Sequence, residues 1–223
     1  PLHSAVLVAK QVATLDVVSA GRVTLGVGVG GREEDYRAVG VALDEKRLVR
    51  LEEMVGLMRR AWAGEMVVDG ALRPVEPAPV QPGGPEILAG SLFPKSIRRA
   101  ARWADGLCGF SFGPSAEEVG RQFELARAAW EEEERSVPPR LVTGCWFALG
   151  SGARERMDGY LKRYLNFMGP GVAEALAPTV TTTSGGALKA AVGMIEDLGA
   201  DELILAPTTS DPDEVHRVAD LLG

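Results

Sequence analysis

Apolar positions along this chain switch repeatedly between helical spacing and short continuous runs, and the switches define its elements. The pattern predicts a helix from His3 to Ala20, a stop at Gly21 and a strand from Val23 to Val29. Leu48, Leu51, Val55 and Met58 recur at three- and four-residue intervals, which predicts a strong helix from Arg47 to Trp62. A short strand at Glu86–Ala89, a helix from Pro94 to Ala104 and a strand at Gly106–Phe112 follow. The next helix, Ala116 to Arg135, opens with Ser115 and Glu118 in a capping-box pattern. The last third predicts strand Leu141–Leu149, helix Arg154–Met168, helix Gly186–Leu198 ending at Gly199, strand Glu202–Ala206 and helix Pro212–Leu222. Continuous apolar strands alternating with helices imply an α/β class with a parallel sheet covered on both faces and strands paired in chain order. The segment Val67–Pro85, with Pro74, Pro77, Pro79, Pro82 and Pro85, is expected to be an extended surface loop of the kind that flanks active sites.

At 223 residues and 46% hydrophobic, the chain can bury one sizeable core, and a single domain over residues 1–223 is expected. A net charge of −7 argues against nucleic acid as a partner, which requires a basic footprint. No apolar run approaches the ~20 residues of a membrane span, and nothing resembles a signal peptide. Cys108 and Cys145 lie far apart in strand-like runs and read as reduced, buried thiols, so a cytoplasmic protein is expected.

Several motifs invite a chemical reading. Gly26-Val27-Gly28-Val29-Gly30-Gly31 satisfies G-x-G-x-x-G after a strand, but a dinucleotide fold needs a second strand about 20 residues on, where the helix around Arg47–Trp62 is predicted instead. Gly109-Phe110-Ser111-Phe112-Gly113 matches the G-x-S-x-G nucleophile elbow, with Asp201 or Asp211 and then His216 in hydrolase order, although Gly113-Pro114-Ser115 delays the helix. His3 and His216 are the only histidines, and no metal-binding spacing is present, so no catalytic metal is expected. Two segments could hold phosphate at a helix opening: Ala89-Gly90-Ser91 leading through Pro94-Lys95-Ser96, and Thr181-Thr182-Thr183-Ser184-Gly185-Gly186. Ordinary N-capping accounts for either equally well in kind.

The stretch Leu7–Gly31 resembles the luciferase-like monooxygenase family, which includes bacterial luciferase and flavin- or deazaflavin-dependent oxidoreductases. Further blocks resemble the same family in the same order. They are Asp35-Tyr36 through Gly40, Arg47, Arg50, Glu52 and Glu53 in a helix ending at Trp62, Ala89-Gly90-Ser91 through Ala104-Asp105-Gly106, and Gly199–Leu205. The resemblance implies a TIM (β/α)8 barrel of which this chain carries strands four to eight, the first three βα units, roughly 90 residues, having no counterpart. It implies that Gly28, Val29 and Gly30 lie against the cofactor ring and that Gly90 and Ser91 contact the cofactor phosphate; Lys95, at the helix opening that follows, is expected from its charge to favour the same anion. Luciferase proper has arginine where Val29 stands, and this departure favours coenzyme F420 over FMN. No catalytic residue is implied.

The expected function is a flavin- or F420-dependent oxidoreductase or monooxygenase acting on a small molecule, with no nucleic-acid or membrane partner. A truncated, non-catalytic cofactor-binding barrel and a serine hydrolase using Ser111 are the alternatives. A homo-oligomer, a dimer as in the family, is expected, because the strands beginning at Val23 and ending at Ala206 would both be open sheet edges.

Overall fold

Ser4 caps the first helix, α1 (Ala5–Ser19), and Ala20 in the left-handed region turns the chain through Gly21 into β1 (Thr24–Val27). The computed structural model describes residues 2–169 and 171–223. Beyond β1 come α2 (Glu33–Ala38), α3 (Arg47–Trp62), β2 (Glu86–Gly90), α4 (Pro94–Ala100) and β3 (Gly106–Cys108). They are followed by α5 (Ala116–Glu132), β4 (Arg140–Phe147), α6 (Ala153–Tyr164), α7 (Val172–Leu176), α8 (Gly185–Asp197), β5 (Glu202–Pro207) and α9 (Asp213–Leu222). The fold is α/β, with one five-stranded sheet in the order β1-β2-β3-β4-β5. The chain divides into two compact units: residues up to Leu107 with Ala129–Pro139, and Cys108–Ala128 with Arg140–Gly223.

In the first unit, β1 and β2 run parallel with Thr24 opposite Glu86 and Val27 opposite Ala89. Small residues on one face of α1 (Ala5, Ala9 and Ala13) pack with Leu51, Val55 and Met58 of α3, three of the four residues in the stripe that the helical spacing predicted, and with Trp62 at the end of the helix. The Trp62 indole N–H donates to the Ala9 carbonyl at 2.9 Å. Gly84, at φ +92°, passes so close that a Cβ there would stand 2.2 Å from a Trp62 ring carbon. Asp16 is fully buried at the end of α1 and ties down the proline-rich loop. Its carboxylate accepts from the N–H groups of Val80 and Gln81 at 2.8 and 3.0 Å and from the Gln81 side chain at 2.6 Å.

In the second unit, β4 and β5 run parallel with Val142 opposite Glu202 and Phe147 opposite Pro207. Met157, Leu161 and Leu165 pack there with Trp146 and Ala148. The same aspartate device starts a strand pairing in each unit. Asp105 accepts from the Ile87 N–H and returns its own N–H to the Ile87 carbonyl, both at 2.8 Å, while Arg59 pairs with its carboxylate at 2.7 Å. Asp201 exchanges the same two bonds with Leu141, at 2.7 and 2.8 Å.

Some elements differ from expectation. The helix begun at Pro94 ends at Ala100 rather than Ala104, because the chain turns there to bring Asp105 to Ile87. The strand expected to reach Phe112 is regular only to Cys108, although the Gly109 and Ser111 N–H groups still bond to Val142 and Gly144. The helix expected to reach Met168 ends at Tyr164 and tightens into a 3-10 turn over Leu165–Met168. Helix α7 lies in a Gly/Pro-bounded stretch whose spacing predicts no element. Cys145 is fully buried, and burial pushes its thiol up to about 11; Cys108 is only half-buried, and burial and the Glu202 carboxylate raise its thiol too. Cys108 thus departs from the expectation of two buried cysteines, since it sits at the last regular residue of its strand.

A cleft at the ends of β1 and β2

The parallel register that sets Val27 against Ala89 makes Gly28 and Gly90 neighbours where the two strands end. Both are bare backbone. A Cβ on Gly90 would stand 3.3 Å from the Val27 carbonyl oxygen, and one on Gly28 would stand 3.5 Å from the Gly90 oxygen. The strand ends open into a cleft of about 250 Å³ bounded by Val29, Gly30, Gly90 and Ser91. Leu48 and Leu51 of α3, with Phe93 and Trp103, add apolar wall, and Ser96 and Arg99 add polar groups.

Tyr36 fixes one rim. Its side chain is buried, and its hydroxyl donates to the Val29 carbonyl. Burial raises the Tyr36 pKa, with the nearby Arg47 and Arg50 opposing, so the phenol keeps its proton at neutral pH. On the opposite rim, Ser91 is 9% exposed and its hydroxyl has no partner among the described residues. Arg99 is held by Glu52 at 2.5 Å, each side chain being about a quarter exposed.

The structure therefore brings together Gly28, Val29, Gly30, Gly90 and Ser91. Lys95 is exposed and does not line the cleft. The opening of α4 also offers fewer donors than its sequence suggests, for Pro94 has no N–H and the Ser96 and Ile97 N–H groups both bond to the Phe93 carbonyl at 3.0 Å. Arg99 is the cation in the cleft wall. Ser96 and Arg99 follow at i and i+3 on one face of α4, and that helical spacing is the signal that identifies them; Trp103 reaches the wall from the turn after the helix.

The other motifs serve the fold. After Gly31 the chain enters α2, and the next strand is β2 at Glu86, so the dinucleotide arrangement is absent. Ser111 is fully buried and its hydroxyl donates to Glu118; with α5 starting only at Ala116, no exposed nucleophile elbow forms. His216 is exposed on α9. Ser184 caps α8 by accepting from the Ala187 N–H at 3.3 Å, and Thr182 donates to the Trp146 carbonyl at 2.5 Å, so this segment is used in capping and strand anchoring. Among the described residues no cluster of three or more His, Cys, Asp or Glu is placed to hold a metal ion, and no helix is long and apolar enough to cross a membrane.

An α/β fold with glycines at adjacent parallel strand ends, opening on a mostly apolar cleft with a few polar groups, has the general features of a small-molecule site. The chain belongs to the luciferase-like monooxygenase family, which it matches over residues 1–221. It is 30% identical over 146 residues to an uncharacterised Mycobacterium tuberculosis protein, covering 63% of this chain and 50% of that one. It is 31% identical over 126 residues to the 5,10-methylenetetrahydromethanopterin reductase of Archaeoglobus fulgidus, covering 55% of this chain and 37% of that one. The chain thus spans half or less of the length of these curated relatives. In fold it is similar to an F420-dependent secondary alcohol dehydrogenase solved with an F420–acetone adduct, with a TM-score of 0.77 at 15% identity over 99% of this chain and 76% of that one. It is likewise similar to the monooxygenase RslO1 of Streptomyces bottropensis, with a TM-score of 0.71 at 21% identity over 99% and 72%.

Proposed function

We propose that this chain binds coenzyme F420 or FMN at the strand-end cleft and forms part of an oxidoreductase or monooxygenase acting on a small molecule. The observation that carries this reading is the pair of bare strand ends at Gly28 and Gly90, where a flat ring or a phosphate arm can approach backbone directly. At about 250 Å³ the cleft is smaller than the ~300–1,000 Å³ that encloses a drug-sized ligand, so it suits one portion of the cofactor. When bound, such a cofactor supplies hydride transfer or, as a reduced flavin, oxygen activation. The chain's own residues bind and orient it. Gly28, Val29 and Gly30 present backbone to the ring, Tyr36 holds the Val29 carbonyl in place, and Leu48, Leu51 and Trp103 exclude water. Ser91 donates to an anionic group, Arg99 lends charge from the wall, and Lys95 adds a solvent-screened contribution. Val29, apolar where luciferase proper has arginine, and the likeness in fold to an F420-dependent secondary alcohol dehydrogenase support F420. The five strands are proposed to correspond to strands four to eight of the family's barrel.

Titrating FMN and F420 separately into the protein tests this. F420 is expected to bind more tightly. Ser91→Ala should weaken it roughly tenfold, the effect of losing one hydrogen bond to a charged group. Lys95→Ala should have a smaller effect that vanishes at high salt. If the folded protein binds neither cofactor, the reading is wrong.

Self-association is proposed as well. Leu7, Leu15 and Val18 on α1 are 52%, 57% and 79% exposed, and β1 and β5 are the terminal strands of the sheet. Exposed apolar stripes and unpaired strand edges favour association. Sedimentation of this 223-residue chain at micromolar concentration should show dimers or larger species, and a cooperatively unfolding monomer would refute the idea.

A further inference from the structure

We propose a second small-molecule site, wholly within the second unit, in the cleft between α6 and the loop that follows β5. Its ligand is the oxyanion of a phosphate ester or a carboxylic acid. The cleft holds about 640 Å³. One face of α6 forms its floor and sides through Glu155, Arg156, Gly159, Tyr160 and Arg163, and Thr208, Thr209 and Ser210 face them.

Charge selects the ligand. Arg163 pairs with no carboxylate among the described residues. Arg156 spends its Nη1 on the Ser151 carbonyl at 2.5 Å and its Nη2 on the Leu149 carbonyl, bonds that fix the guanidinium without neutralising it. Two uncompensated guanidiniums thus stand against one carboxylate, Glu155, in a chain whose net charge is −7. Planar guanidinium forks match carboxylate and phosphate oxygens. Hydroxyls complete the donor set: Ser210 has no partner among the described residues, and Thr209, which accepts from the Asp211 N–H at 3.1 Å, keeps its own proton to donate.

Gly159 is the second, independent sign. Glycine inside a helix is destabilising relative to alanine. No backbone crowds this position, for a Cβ there would meet only the Arg163 guanidinium, at 3.4 Å. The glycine therefore leaves the cleft floor open and lets Arg163 fold back across it. Tyr160, stacked on Tyr164 with ring centroids 5.5 Å apart and edge-packed on Trp146, gives a rigid aromatic side.

The test is a titration of the isotopically labelled full chain with inorganic phosphate and, separately, with acetate, read as amide shifts at Gly159, Thr209 and Ser210. Saturable shifts at these residues are expected, and the tighter anion identifies the ligand class. Arg163→Gln should weaken binding at least about tenfold, the loss of one charge-assisted contact. Glu155→Gln should tighten it by removing repulsion. Gly159→Leu should block it while strengthening the helix, so that lost binding cannot be ascribed to unfolding. No saturable shifts, or equal affinity in Arg163→Gln, would overturn the proposal. None of these residues lines the strand-end cleft, so failure here leaves the cofactor reading standing.

Discussion

Replacing Gly90 with valine is expected to weaken the proposed cofactor binding by about 100-fold or more, in a protein that still folds. A Cβ at this position meets the Val27 carbonyl oxygen at 3.3 Å, a backbone atom that can yield only by a few tenths of an ångström. Valine's two methyl groups add further bulk at a residue that lines a cleft of only about 250 Å³. Overpacking of this kind costs typically 1–3 kcal/mol of stability, which a domain of ordinary stability survives. Displacing a ring or phosphate from its backbone seat removes several contacts together, and about 2.7 kcal/mol of binding is already 100-fold. Gly90→Ala should fall between the wild type and valine. Cofactor titration beside a thermal melt separates the two effects. Full affinity in a folded Gly90→Val protein would mean that the cofactor does not approach this strand end.

Much of this site is legible in the sequence because strand ends are marked by composition. A β-branched run that ends in Gly28-Val29-Gly30, and a short apolar run that ends in Gly90-Ser91, identify two places where backbone is left bare, and the parallel register makes them neighbours. The side walls are harder to read. Lys95 is closer in sequence to Ser91 than Arg99 is, but one helical turn carries Arg99 into the cleft wall and leaves Lys95 exposed. The family-like A-D-G block is likewise visible as a motif, whereas its work is seen only in three dimensions: Asp105 binds the first core residue of the preceding strand and Arg59 of α3. Glu118 shows the same limit. The spacing from Ser115 predicts a reciprocal capping box, and Ser115 does accept the Glu118 N–H at 3.2 Å, but the carboxylate turns to the buried Ser111 hydroxyl instead. Local pattern names the elements, and competition among tertiary partners decides where each polar group is spent.

That competition is sharpest at Asp16, and Asp16→Ala is expected to destabilise the protein by roughly 3 kcal/mol. The substitution removes the acceptor of the part-buried Val80 and Gln81 N–H groups and one of the two acceptors of the Gln81 side-chain amide, which keeps its bond to the Val23 carbonyl; each lost hydrogen bond to a charged group costs about 1.5–3 kcal/mol before the loop relaxes toward water. For a chain of this length the melting temperature should fall by roughly 6–12 °C. Asp16→Asn keeps one acceptor oxygen and should lose less. Acid provides the sharper test. Burial alone would push the Asp16 pKa up, but hydrogen bonds from Gln81 and Val80 outweigh it and hold the carboxyl below the ordinary carboxylate value. A carboxyl lowered in the folded state contributes stability that is fully present above its unfolded pKa of about 3.9 and is lost as pH falls through the lower folded value. The stability gap between the wild type and Asp16→Asn should therefore be constant from pH 7 to about 5 and should close below about 4. Denaturant melts at stepped pH measure that gap directly. A gap that persists unchanged to pH 3 would show that the ionised carboxylate is not what fastens the proline-rich loop to α1 and delivers the chain into β2.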